Sequence, residues 1–242
     1  MKQSELFVKV IHVLMVVLVP IILCGFNFNS IAFDRSLYKK EFSKHNVYNN
    51  LENYDVEKIN DEVLNYLKNR ENKDATENNF FNERENHHLL DVRNLIQGVL
   101  SIYYLSIILF LLLIIILFLL MNFNFRDISR KLLIILTFGS LLTLLDAATF
   151  FLLSSFNFDF AFELFHKTFF SPGTYTFNPK FENIVVLYPK NLFLDLMVRM
   201  IFSIIFSSGM LFFISTTLFF IFFKRNFSNF FENFPSRKAK KQ

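Results

Sequence analysis

The chain has 242 residues, 53% of them hydrophobic, with 36 Phe, 5 Gly, no Trp and a formal net charge of +4. Apolar content this high, gathered into long runs, excludes an ordinary soluble domain and points to a polytopic membrane protein. The basic balance would suit nucleic acid, but the Lys and Arg residues form no patch interleaved with aromatics, so that class is set aside.

Residues 6–28 form the first run, long enough to cross a hydrocarbon core that needs about 20 apolar residues in a helix. Lys2 and Lys9 precede it, and Ser30-Ile-Ala32 would suit a cleavage site. The stretch 10–28 is nevertheless longer than the usual apolar region of a signal peptide, about 7–15 residues, so a retained helix is expected. Cys24 is the only cysteine. It excludes an internal disulfide and any thiolate zinc site, and it reads as a small apolar side chain. His12 reads as a helix-contact residue.

The loop 29–94 follows. Asp34 begins a short helix as its N-cap, with Leu37, Tyr38 and Phe42 on one side. His45 sits at its polar end, where solvation accounts for it. Asp55 to Arg70 is amphipathic, with Val56, Ile59, Val63, Leu64 and Leu67 at helical spacing. These helices form a small cap, and residues 69–79, polar and poor in β-branched side chains, are expected to be a mobile connection.

Phe80-Phe-Asn-Glu-Arg-Glu-Asn-His-His88-Leu-Leu-Asp-Val-Arg93 then meets the second run, 95–121. Charges against an apolar wall are costly unless they pair or bind something polar. On a continuing helix Arg84, His88 and Asp91 share a face, which would let Asp91 orient an imidazole. Plain interfacial anchoring by Arg84, Glu85, Asp91 and Arg93 is the competing reading.

The turn 122–131 carries Arg126, Arg130 and Lys131, and its shortness predicts that the flanking helices are antiparallel neighbours. Asp146 lies in the third run, 132–156, about 22 Å in from Lys131 at about 1.5 Å per residue. A structural partnership with Arg199, Thr143 or Ser140 competes with a functional role there. Asp159-Phe-Ala-Phe-Glu-Leu-Phe-His166-Lys-Thr-Phe-Phe170 comes next, with Asp159 and Glu163 on the histidine's side of a continuing helix. Either carboxylate would hold one imidazole tautomer and raise the basicity of the other nitrogen. An interfacial aromatic belt is the plainer alternative.

Beyond Ser171-Pro-Gly173, residues 174–177 and 184–188 read as two short strands, a β-hairpin. The fourth run, 197–223, precedes a basic tail, 224–242. Lys and Arg in short flanking segments stay cytoplasmic, so both termini and the 122–131 turn are placed there and both histidine loops outside. The expected fold is a mainly α membrane protein: a four-transmembrane-helix bundle under an extracytoplasmic cap, with parts at 29–94 and 157–196. Phosphate loops, a Gly-x-Ser-x-Gly elbow and a convincing cysteine nucleophile are all absent, and no histidine spacing suits a metal. Two histidines on one side suit acid–base chemistry.

The two histidine stretches, together with Phe33-Asp-Arg35, Gly173-Thr-Tyr-Thr-Phe-Asn-Pro179 and Tyr188-Pro, resemble the bacterial lipoprotein intramolecular transacylase family. Its members are four-span membrane enzymes with a small extracytoplasmic cap and two essential histidines. Tyr175 stands where the family is expected to have Trp. The resemblance implies a cofactor-free transfer of the sn-2 acyl chain of a diacylglyceryl-cysteine lipoprotein to its N-terminal α-amine, giving the lyso form. It assigns His88 and His166 as the catalytic pair, His88 as base and His166 as acid, with exchanged roles also open. Arg84, Asp91, Arg93, Asp159 and Glu163 would bind or orient substrate, with Arg84, Arg93 or backbone N–H groups meeting the oxyanion. The doubled His87-His88 leaves two candidates for the first imidazole, and His88 is chosen because it directly precedes Leu-x-Asp-Val-Arg. Implied partners are diacylglyceryl-modified lipoproteins and membrane lipids, for a monomer in a bacterial plasma membrane. A non-catalytic sensor or chaperone with a pH-responsive cap is the alternative from another class, and a small transporter built on Asp146 a third.

Overall fold

The computed structural model describes residues 2–69, 75, 79–171 and 173–223. The expected mobile connection lies largely outside these residues, and the basic tail wholly so. The described chain folds into helices α1 (Lys2–Ala32), α2 (Arg35–Lys44), α3 (Val47–Asn50), α4 (Val56–Lys68), α5 (Glu83–Leu120), α6 (Phe125–Phe156), α7 (Phe158–Phe169), α8 (Ile184–Leu187) and α9 (Lys190–Phe223). Four of them, α1, α5, α6 and α9, are long and apolar enough to cross a membrane.

Helix α1 holds the bundle together, packing against α5, α6 and α9, while α6 packs most extensively on α9. The short turn does make α5 and α6 consecutive, yet the two helices barely meet. Both lean on α1 instead, because its surface admits them closely. A Cβ on Gly139 would sit 2.5 Å from the side chain of Val19, and one on Gly25 2.5 Å from the ring of Tyr103. Small residues of this kind let helix backbones approach where no hydrophobic force draws them together. Side-chain hydrogen bonds add to the packing: Asn27 donates to Ser207 Oγ and accepts from Ser203 Oγ, joining α1 to α9, and Thr137 bonds Ser215, joining α6 to α9.

The cap has its own core, in which Phe42, Val47, Val63, Leu187 and Leu192 are almost fully buried. Asp34 caps α2 by accepting the N–H groups of Ser36 and Leu37, and Asp55 caps α4 through Lys58 N–H. The apolar stripe Val56, Ile59, Val63, Leu64 and Leu67 is buried in that core, which makes amphipathic spacing the reason α4 folds here.

No strand occurs among the described residues, so the expected β-hairpin is corrected. Residues 184–187 instead make one helical turn, although Ile184, Val185 and Val186 favour strands in isolation. Ile184 and Leu187, three apart, are both buried in the cap, a spacing that a helical turn satisfies and an alternating strand does not.

At 38 residues, α5 is about 57 Å long, nearly twice a bilayer's hydrocarbon thickness. Its N-terminal turns therefore stand in the cap, and His88 lies there. Helix α7 follows α6 with only Asn157 between them, and it brings His166 to the same level.

Candidate active site

The start of α5 is set by a capping box. Asn82 accepts from Glu85 N–H, and the Glu85 carboxylate accepts from Asn82 N–H at 2.7 Å. Glu85 is only 1% exposed, and its other oxygen accepts from Ile184 N–H at 2.7 Å. One buried carboxylate thus fastens the second loop onto the histidine-bearing helix. Asn183 reinforces it by donating to Phe80 O.

Arg84 is the second fastening. It donates to Glu182 at 2.8 Å, to Gly173 O at 2.9 Å and to Thr176 O, and its guanidinium lies over the ring of Phe177. Glu182 also accepts Asn178 N–H at 2.5 Å. These bonds hold the segment 173–182 against α5, with Gly173 at φ +85°, a conformation that favours glycine.

The fastened loop and α7 bring His88 and His166 together. Their rings lie 6.2 Å apart between centroids and 17° from parallel. Phe170 packs against both, 4.8 Å from His88 and 5.5 Å from His166. Phe177 flanks His88 and Tyr175 flanks His166. His166 Nδ1 lies 2.7 Å from Phe162 O, one helical turn back. A carbonyl can only accept, so Nδ1 carries the proton and Nε2 keeps its lone pair. His88 is 7% exposed, and its Nδ1 has no hydrogen-bond partner among the described residues. A proton on both nitrogens would leave a buried N–H with nothing to receive it, which favours the neutral ring.

His87 is exposed and turns the other way, into an open cleft lined also by Asn82, Glu83, Arg84, Gly173, Thr174 and Glu182. The imidazole that faces His166 is that of His88.

The carboxylates expected to assist the histidines are engaged elsewhere. Asp159 pairs with Lys190 at 2.5 Å and Glu163 with Lys167 at 2.6 Å. Among the described residues no hydrogen bond joins Asp91 to His88, and Arg93 stacks over Tyr66. No ion pair joins Asp146 to Arg199 among the described residues. Instead the Arg199 charge, with hydrogen bonds from Ser36 foremost and from the Leu37 backbone, helps hold Asp34 below the usual carboxylate range. The sequence reading took Glu85 only as a candidate interfacial anchor and gave Glu182, Phe162, Phe170 and Phe177 no place in the site, although Asn82-x-x-Glu85 is itself a capping-box pattern.

Glu41, His45 and Asp195 gather their ligand atoms within 4.8 Å of one another where α2 meets α9. Lys44 Nζ lies 2.6 Å from Asp195, so a lysine ammonium already supplies the positive charge there. The group reads as a clasp between cap and bundle.

Burial pushes the His166 imidazole below its ordinary range, against the raising effect of the Phe162 carbonyl. At pH values between that lowered value and the unfolded one near about 6.5, the unfolded chain binds a proton that the folded site refuses. The stability tied to neutral His166 is therefore complete above that upper limit and is lost as pH falls through the folded value. The thermal midpoint in detergent should drop between neutral pH and pH of about 5, and drop less in His166→Gln. Equal drops in both proteins would show that His166 charges freely.

The family model of lipoprotein intramolecular transacylases (Lit) matches residues 13–193. A solved structure of the membrane-integral Lit of Bacillus cereus superposes with a TM-score of 0.76 at 18% identity, covering 92% of this chain and 98% of that one. Two structures of the same bacterial protein, one with a histidine replaced by arginine and one with it replaced by alanine, superpose with TM-scores of 0.73 at 18% identity. They cover 94% and 93% of this chain, and 97% of their own chain in each case. No curated protein matches in direct sequence comparison.

Proposed function

The chain belongs to the lipoprotein intramolecular transacylase family, and from that premise we propose that His88 and His166 carry the oxyanion stabilisation and the proton transfers of its O-to-N acyl shift. It is a multi-pass membrane acyltransferase acting on lipoproteins. The substrate is a lipoprotein whose N-terminal cysteine bears a diacylglyceryl thioether. Its α-amine attacks the sn-2 ester carbonyl, the new C–N bond forms, and the bond to the sn-2 oxygen breaks. The products are an N-acyl, S-monoacylglyceryl lipoprotein. Nucleophile and electrophile share one molecule, so the enzyme mainly selects the folded-back conformer and moves one proton.

The geometry favours a different division of labour, with both proton steps on His166 and the oxyanion on His88. His166 has Nδ1 committed to Phe162 O, so its Nε2 is the acceptor that takes the amine proton and then delivers it to the departing sn-2 oxygen. His88, neutral and with Nδ1 walled off, works through Nε2–H and donates to the carbonyl oxygen as negative charge develops. Arg84 suits that task poorly because Glu182, Gly173 and Thr176 already occupy its donors. Basic residues at Lys2, Lys9, Arg126, Arg130 and Lys131 support cytoplasmic termini and turn, with the histidines on the extracytoplasmic face of a bacterial plasma membrane. The observation that carries this reading is the near-parallel histidine pair in an aromatic-walled site.

Mass spectrometry of a reporter lipoprotein's N-terminal peptide, made with and without this protein, tests it. The N-acyl lyso form should appear only with the protein present. A persistent free-amine diacyl form would overturn the activity.

A further inference from the structure

Helix α7 has no buried residue, although His166 and Phe162 point inward to the site. Its charged side chains form a single row, Asp159, Glu163 and Lys167, spaced four apart and closed by ion pairs to Lys190 and within itself, while Thr168 on the other side returns its hydroxyl to Leu164 O. Around the rest of the helix, Phe160, Leu164, Phe165 and Phe169 are 44–63% exposed. An apolar arc this wide is not a water-facing surface. Its position says what covers it. Asn157 alone separates α7 from α6, whose last turns expose Phe150, Leu152 and Leu153. The exposed apolar surface of a membrane-crossing helix therefore runs directly into that of α7.

We infer that α7 lies in the bilayer interface with Phe160, Leu164, Phe165 and Phe169 immersed among phospholipid acyl chains, so that His166 meets the lipidated terminus at membrane level. The single charged row then faces water, as in helices that lie on a membrane rather than cross it. Phe165 contacts both His166 and Phe170, making one ring surface continuous from lipid to the histidine pair. Acyl chains of a lipoprotein anchored in the same leaflet reach the site along that surface without leaving an apolar environment. The inference rests on the transacylase reading only for this last step.

The chain contains no Trp, so single replacements report without background. Phe160→Trp, Leu164→Trp and, on the charged row, Glu163→Trp are prepared in the full-length protein and reconstituted in phosphatidylcholine vesicles with or without brominated acyl chains. Phe160→Trp and Leu164→Trp should lose at least about twofold of their emission to bromolipid, as expected of a face sunk about 5–10 Å past the headgroups, and Glu163→Trp should not. Equal quenching at all three positions, or none at Phe160 and Leu164, overturns the inference. Blue-shifted emission that bromolipid leaves intact also overturns it, because a second copy or another protein would then cover the face. Emission needs no substrate, so a protein that is quenched as expected but makes no lyso form would refute the activity and leave the placement of α7 standing.

Discussion

Replacing His166 with alanine is expected to slow lyso-form production by about 10²–10⁴-fold, the range contributed by a positioned acid–base group. Its Nε2 carries the lone pair that can act as base, because the Phe162 carbonyl holds the proton on Nδ1, whereas the lone pair of His88 is on the walled-off Nδ1. Without it, the amine proton must leave to water from a site walled by Phe162, Phe170 and Tyr175. His88→Ala should also lose most of the rate, since a single oxyanion donor is worth about 10²–10³-fold. His88→Gln, which keeps an N–H donor, should recover part of that loss, whereas His166→Gln should recover none because an amide nitrogen is no base. His87→Ala should stay near the parent rate, its ring being turned into the outer cleft. Quantifying the reporter peptide over time separates these cases. A His166→Ala protein that folds and retains the parent rate would remove His166 from the mechanism.

Glu85→Ala should produce the largest loss of stability of any single substitution near the site, about 2–4 kcal/mol. The side chain is 1% exposed and accepts two backbone N–H groups, one closing its own helix and one fixing Ile184. Removing it strands the buried Ile184 N–H, at about 1–3 kcal/mol for an unsatisfied buried group, and opens the capping box at Asn82, at about 1 kcal/mol for a lost cap. Glu85→Gln should cost less, since its carbonyl can still serve one of the two. The loss should be local first: the Ile184 amide should exchange with deuterium faster, followed by amides of the loop 173–183 that Arg84 holds. Thermal unfolding in detergent and hydrogen exchange read the two levels. If the Ile184 amide stays protected in Glu85→Ala, Glu85 is not what fastens that loop. Turnover should fall along with the loop, because segment 173–177 carries Tyr175 and Phe177 to the histidines.

Much of the architecture can be read from the chain in one dimension. Long apolar runs report membrane-crossing helices because a bilayer removes every alternative partner for their backbone groups. Asp34 and Asp55 report helix starts because a cap acts within three residues of itself. The hairpin expectation failed for a related reason. Strand preference at Ile184-Val-Val186 is weak, and a carboxylate 99 residues away together with burial of Ile184 and Leu187 outweighs it.

The same division runs through the site. Sequence alone determined the class of fold, the two histidine stretches and, through their wording, the family. Tertiary structure decided which of His87 and His88 faces His166, since adjacent residues on a helix point about 100° apart and only packing chooses between them. It also decided that Asp159 and Glu163 pair with lysines while a backbone carbonyl orients His166. A carboxylate near a histidine in sequence has several cations within reach once folded, and it pairs with the nearest full charge rather than with a neutral ring. Membrane-crossing helices follow from local composition because the bilayer acts on every residue alike. The histidine pair depends on contacts among α5, α7 and the loop between α7 and α9, and only the folded chain brings those together.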